Sequence, residues 1–242
     1  MASQKELREQ LATCSRIFAM QGLIGLFGHV SVYNPETKTV LVTPGSGSDK
    51  ASFQPSDMIS MDLTGKPIDR TMPPPVEWPI HTALHAARVD ALAVAHLHTP
   101  YATLFAIARR EFHPVTLQGT IFGEGVPLYK EAHLVTTPQR GDALLMTIGD
   151  HRAVLMRGHG VVVAGKSLPE VLFASLILED DAKKTMQAAA LGPVEHFTAE
   201  ECKTFNAEID FERRANRAWE YFSKIEKNWD RQSGTGKIEL FP

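Results

Sequence analysis

The chain is poor in cysteine, in net charge and in long apolar runs. Its 242 residues include only Cys14 and Cys202, far apart and outside any CxxC pair, so a reducing, cytoplasmic setting is expected. A formal net charge of −3 leaves no basic footprint for nucleic acid. The N-terminus, Met1-Ala2-Ser3-Gln4-Lys5-Glu6, is polar and carries no apolar signal core. No stretch reaches the length of a membrane span. Internal repeats, low-complexity segments and a Ser/Gly-rich linker between domains are also missing. What is present, 43% hydrophobic and 22% charged residues, suits one large α/β domain. It is expected to cover residues 1–232, with a tail over 233–242.

The pattern along the chain alternates between elements. Leu7, Leu11, Ile17 and Phe18 recur at helical spacing behind Ser3 and Glu6, a capping-box pair, so an opening helix is expected over 3–21. Gly28-His29-Val30-Ser31-Val32-Tyr33 and Thr39-Val40-Leu41-Val42-Thr43 read as strands around the Asn34–Lys38 turn. Asp57–Met61 reads as another strand, and a helix is expected from Glu77 to Arg88. On it Glu77, His81 and His85 stand at i, i+4 and i+8 and would share a face. Further helices are expected through Leu104 and Ile107, from Arg140 to Ile148, and from Pro169 to Leu191 behind an N-cap at Ser167. Ala153–Met156 and Val161–Gly165 read as buried strands. A last long helix over roughly 198–230 carries Phe205, Ile209, Trp219, Phe222 and Ile225 on one face.

The chemistry-bearing stretch is Val94-Ala95-His96-Leu97-His98-Thr99. On a strand, residues i and i+2 point to the same face, so the two imidazoles can chelate one metal ion. The alternative is a pair of core histidines satisfied by hydrogen bonds. A carboxylate upstream, Glu77, and a third histidine downstream, His159, favour the metal. Pro44-Gly45-Ser46-Gly47-Ser48 is a loop whose amides could bind an anion, or else an ordinary turn. Lys50 does not complete the GxxxxGK[ST] pattern, so it is not a phosphate loop.

Five segments in order, Gly28-His29-Val30-Ser31, Thr43-Pro44-Gly45, Glu77-Trp78-Pro79-Ile80-His81, His96-Leu97-His98 and Arg157-Gly158-His159-Gly160, together resemble the class II aldolase/adducin family over roughly residues 5–190. The resemblance implies a three-layer α/β/α sandwich around a largely antiparallel sheet, and tetramers with sites at subunit interfaces. It implies one divalent metal per chain on His96, His98 and His159. It casts Glu77 as the carboxylate that holds the empty site and then acts as acid/base. Zn²⁺ is the leading expectation, with Mn²⁺, Fe²⁺ or Co²⁺ as alternatives. His81 and His85 are expected to support or pack, and Tyr129 and His133 are candidates for crossing between subunits.

Departures from the family pattern point to the substrate. The sugar-phosphate aldolases carry two serines before the glutamate; here Pro75 and Val76 stand there and donate no hydrogen bond. His29 replaces the usual asparagine. An unphosphorylated acid fits better, with Val76, Trp78 and Phe27 as apolar walls. Gly28, His29, Ser31, Ser46, Gly47 and Arg157 would hold its carboxylate. The expected reaction is non-oxidative decarboxylation of a hydroxylated aromatic or heteroaromatic dicarboxylate, 3,4-dihydroxyphthalate-like, with Glu77 and His29 catalytic. The alternatives are aldol cleavage of an unphosphorylated hydroxy or oxo acid, and an adducin-like binding module without catalysis. The partners expected are a small carboxylate substrate and further copies of the chain, with no nucleic acid and no membrane.

Overall fold

The structure, a computed structural model, describes residues 3–45, 47, 49–68 and 72–229. The expected tail over 233–242 lies outside them. Helix α1 spans Gln4–Met20. The Ser3 hydroxyl accepts from the Glu6 amide and the Glu6 carboxylate accepts from the Ser3 amide, so two otherwise unpaired helix-end donors are satisfied.

Seven strands form one sheet: β1 (His29–Asn34), β2 (Thr39–Val42), β3 (Ile59–Met61), β4 (Ala93–Leu97), β5 (Leu128–Tyr129), β6 (Ala153–Met156) and β7 (Gly160–Gly165). Their order is β3-β2-β1-β4-β7-β6-β5. Every neighbouring pair is antiparallel except β5 with β6. The remaining helices are α2 (Trp78–Ala87), α3 (Ala102–Ile107), α4 (Pro138–Ile148), α5 (Leu168–Ala189), α6 (Ala199–Ala207) and α7 (Phe211–Lys227).

The pleat sorts side chains between two cores. Val30, Val32, Ala93, Ala95, Leu97, Val161 and Val163 join Leu11, Ile17, Leu172 and Phe222 on the side of α1, α5 and α7. Val94, Val154, Val162 and Ala164 join Ile80, Leu84, Leu144 and Ile148 on the side of α2 and α4. The result is the three-layer α/β/α sandwich with a largely antiparallel central sheet. By the same alternation His29, Ser31 and His96 lie on the face that α2 covers. No helix among the described residues is long and apolar enough to cross a membrane.

Two local expectations are corrected. The long helix over 198–230 is two helices, broken at Glu208–Asp210, because Asp210 caps a new start by accepting from the Arg213 amide at 2.9 Å. On α5 and α7, Phe222 is buried with Leu172 and Leu176, and Trp219 and Ile225 pack on the same core. Trp78 lies against the Gly65 turn and the Val40, Val42, Ile59 and Met61 cluster, so it does not line the site.

At the centre of the sheet β4 and β7 approach closely. A Cβ on Gly160 would collide with the backbone carbonyl of Leu97. Gly160→Ala is therefore expected to push β7 from β4 and lower stability by about 1–3 kcal/mol. Thermal unfolding checks this, and a wild-type Tm would show that the contact is not limiting.

Candidate functional site

Antiparallel register sets His29 opposite His96 across β1 and β4. His98 follows one residue beyond the end of β4, rather than within the strand, and its amide donates to the Leu23 carbonyl at 3.2 Å. His159 sits in the turn between β6 and β7, its amide bonded to the Met156 carbonyl at 3.0 Å. Glu77 is the N-cap residue of α2, yet its side chain makes no cap hydrogen bond. One carboxylate oxygen, Oε1, instead accepts from the Val135 amide at 2.9 Å. The other, Oε2, faces the Nε2 atoms of His159 at 3.4 Å and His96 at 3.5 Å. An ordinary helix-capping role for Glu77 is thereby set aside.

These atoms fit a divalent ion. The Nε2 atoms of His96 and His98 are 3.2 Å apart, and His96 Nδ1–H donates to the Val161 carbonyl at 3.2 Å, which turns Nε2 toward the other donors. Ligands roughly 2.0–2.1 Å from a tetrahedral Zn²⁺ lie roughly 3.4 Å from one another, near the spacings seen here. His96, His98 and His159 form one possible ligand triad, and His29, Glu77 and His96 an overlapping one, the donor atoms of each within 4.8 Å of one another. A soft, thiol-seeking ion has no partner, since Cys14 and Cys202 are buried elsewhere in the core.

The electrostatics follow from burial around a single carboxylate. Burial alone would raise the Glu77 carboxyl, but the His159 and His96 rings beside it hold it well below the usual carboxylate range. Burial, then neighbouring His96 and His159, pushes His98 down to about 3. Burial also takes His29 and His81 well below the ordinary imidazole value and His85 to about 4. His29, His81, His85 and His98 are thus held neutral, the form that binds metal or accepts a proton.

The other expected residues separate. Gly28 is buried with φ +95°, and an added Cβ would meet Ile24 and the His96 carbonyl, so this position turns the chain into β1. Ser31 is fully buried and its hydroxyl is engaged by His81 and His85 at 2.6 and 2.8 Å. It is committed behind the site instead of being offered to a carboxylate. Gly47 is exposed with φ +86°, and Ser46 lies outside the described residues. The Arg157 guanidinium donates to the Lys130 carbonyl at 3.3 Å. Phe27 is a wall, its ring centroid 5.5 Å from that of His98, and Val76 is exposed beside Glu77. Tyr129 is buried in its own chain's second core, which removes its ring from any subunit boundary. His133 is partly exposed and lies 4.0 Å from the Glu131 carboxylate.

Sequence reasoning missed Lys50. Its side chain is buried and donates to the Gly45 carbonyl at 2.7 Å and the Pro44 carbonyl at 3.4 Å. Burial pulls it down to about 8. Its charge is felt at His29 and His98, so it is a cation at the rim of the cluster. The signal available was a lysine amid small residues, which only folding turns inward.

Known proteins share this frame. The family model described as the class II aldolase and adducin N-terminal domain matches residues 9–186. A 3,4-dihydroxyphthalate decarboxylase of Arthrobacter keyseri is 29% identical over 197 residues, covering 76% of this chain and 79% of that protein. A 5-deoxy-D-ribulose 1-phosphate aldolase of Bacillus thuringiensis serovar kurstaki is 28% identical over 193 residues, covering 79% of this chain and 89% of that protein. A solved L-fuculose 1-phosphate aldolase superposes with a TM-score of 0.75 at 26% identity, over 86% of this chain and 97% of that one.

The donor set makes a direct prediction. Metal analysis of purified protein should find about one divalent ion per chain, most of it lost in His96→Ala and much of it kept in Glu77→Gln, since three imidazoles remain. Equal metal in wild type and His96→Ala would sink the assignment.

Proposed function

The chain belongs to the class II aldolase and adducin family, and on that premise we propose that it is a metal-dependent, non-oxidative decarboxylase of a hydroxylated aromatic or heteroaromatic dicarboxylate, 3,4-dihydroxyphthalate-like. The observation that carries the reading is the lip of the site. Pro75 and Val76 precede Glu77 there, where sugar-phosphate aldolases place two serines, and the Pro44-Gly45 loop lies against Pro75. Neither side chain donates a hydrogen bond to a phosphate. Phe27 and Val76 instead offer apolar surface to a flat ring, and Lys50 adds a cation for a carboxylate.

His96, His98 and His159 would hold the ion, with Glu77 beside them. When bound, the ion would supply a Lewis-acid centre that stabilises negative charge on the substrate's phenolic oxygen. The protein's own groups move the protons. Glu77, ionised in its resting state, or His29, neutral, takes the phenolic proton. The oxygen's electron pair is delivered into the ring, and the carbon bearing the leaving carboxylate accepts a proton from the same acid/base group. The bond to the carboxylate then breaks. Its electron pair restores aromaticity, CO₂ departs, and the oxygen recovers a proton, so one proton is consumed per turnover.

The same reading takes Zn²⁺ as the ion, one per chain, a homotetramer as the assembly and the cytoplasm as the location. The exposure of Leu26, Phe27 and Val76, at 61%, 52% and 67%, supports a partner subunit covering this edge. Aldol cleavage of an unphosphorylated hydroxy or oxo acid is the second reading, favoured by the aldolase relatives and by its equal need for a stabilised carbanion. The adducin-like binding module is disfavoured because Glu77 and all three histidines are present and converge.

A panel of hydroxylated aromatic dicarboxylates and unphosphorylated hydroxy acids, scored for CO₂ and aldehyde, tests the reading. CO₂ without aldehyde is expected; aldehyde without CO₂ reverses it. Glu77→Gln should lower kcat by about 10²–10⁴-fold, and full activity would move the acid/base role to His29. Lys50→Met should raise KM by roughly 10-fold or more, the loss of one charge-assisted contact. An unchanged KM would remove Lys50 from substrate binding.

A further inference from the structure

Behind His29 runs a line of buried polar groups that the reaction itself does not use. His29 and Ser31 stand at i and i+2 on one face of β1, and His81 and His85 at i and i+4 on one face of α2. The two faces meet, and all four residues are buried. His29 Nδ1 is 2.6 Å from His81 Nε2, and His81 Nδ1 is 2.6 Å from Ser31 Oγ. Ser31 Oγ is 2.8 Å from His85 Nε2, and His85 Nδ1 is 2.6 Å from the Ala91 carbonyl oxygen. Where this face would otherwise be packed with apolar side chains, it carries one continuous hydrogen-bonded chain.

The direction of that chain is forced from its far end. A backbone carbonyl only accepts, so the Ala91 contact places a proton on His85 Nδ1. Burial keeps His85 neutral, so its Nε2 is bare and must accept the Ser31 hydroxyl proton. With that proton committed, the Ser31 oxygen accepts from His81 Nδ1–H. With its ring proton on Nδ1, His81 accepts at Nε2, so the short contact to His29 places the proton on His29 Nδ1. One nitrogen remains, His29 Nε2, on the ring whose centroid is 5.0 Å from that of His96.

We infer that Ser31, His81 and His85 are positioning residues that lock His29 in its Nδ1–H tautomer, so that it presents a bare Nε2 to the reacting centre. The chain is a lock and not a proton exit, because a peptide carbonyl takes no proton onward. Its energetic logic is that of a fully satisfied buried network: reversing one link leaves a donor facing a donor or an acceptor facing an acceptor. Tyr33, stacked on His85 with ring centroids 5.7 Å apart, closes the far end against rotation.

The inference rests on the proposed function only for what His29 does; the tautomer itself is independent of substrate. It is read from two-bond ¹⁵N–¹H spectra of zinc-loaded, ¹⁵N-histidine-labelled protein, with His29→Asn assigning the His29 signals. The expected pattern is Nδ1–H for His29, His81 and His85. In Ser31→Ala, His81 loses its acceptor, the His29 signals move to a mixture of tautomers, and kcat falls by roughly 10-fold with little change in KM, the usual scale for losing an orienting partner. If Ser31→Ala does not fold, His85→Phe asks the same question, since it frees the Ser31 hydroxyl to reverse. A proton on His29 Nε2 in the wild type overturns the inference, as does a folded Ser31→Ala or His85→Phe whose His29 pattern is unchanged. A protein that shows the lock but releases no CO₂ counts against the decarboxylase reading alone.

Discussion

Everything at the site depends on one backbone register, the pairing of His29 with His96 across β1 and β4 and of His96 with Val162 across β4 and β7. A slip of one residue would turn the slipped strand's imidazole into the opposite, apolar core, among Leu11, Ile17 and Leu172. The register is held by the two apolar cores that the same strands supply on alternate positions. It is also held by Gly160, whose missing side chain lets the β7 backbone meet that of β4. Hydrophobic packing therefore sets the spacing of the donor atoms, and the donors add specificity to a frame they do not themselves stabilise.

The price of that arrangement is a face of buried imidazoles in a medium that penalises charge. The protein meets it by giving the buried rings hydrogen-bond partners. Carbonyls of Val161 and Ala91 accept from Nδ1–H of His96 and His85, and Ser31 is shared between two rings. The Glu77 carboxylate faces the Nε2 atoms of His96 and His159 and is anchored by the Val135 amide. Imidazole nitrogens around a carboxylate suit a cation that arrives from solution.

Much of this could be read from the residues in order. The alternation in His29–Tyr33, the capping boxes and the His96-Leu97-His98 triplet follow local rules that survive folding. The break at Glu208–Asp210 was missed because Phe205, Ile209 and Trp219 hold a near-helical period across it, while the Asp210 cap wins locally. Trp78 was placed at the site because it adjoins Glu77, but on a helix its neighbour in sequence points elsewhere, here over Gly65. The part hidden from sequence was long-range: that Ser31 meets two histidines some 50 positions away, 2.6 Å from one and 2.8 Å from the other, or that Lys50 turns inward. Such contacts arise when α2 lies across β1, which no local period specifies.

The loop that carries Pro44, Gly45 and Lys50, with the Pro73–Val76 approach beside it, borders the cluster without supplying any of the nitrogen donors. The nitrogen donors themselves sit on β1, at the end of β4 and in the turn between β6 and β7. The fold thus separates the parts list for reactivity from the parts list for recognition. A change confined to such a lip alters what the opening admits while the spacing of the nitrogen donors, set by the sheet, stays as it is.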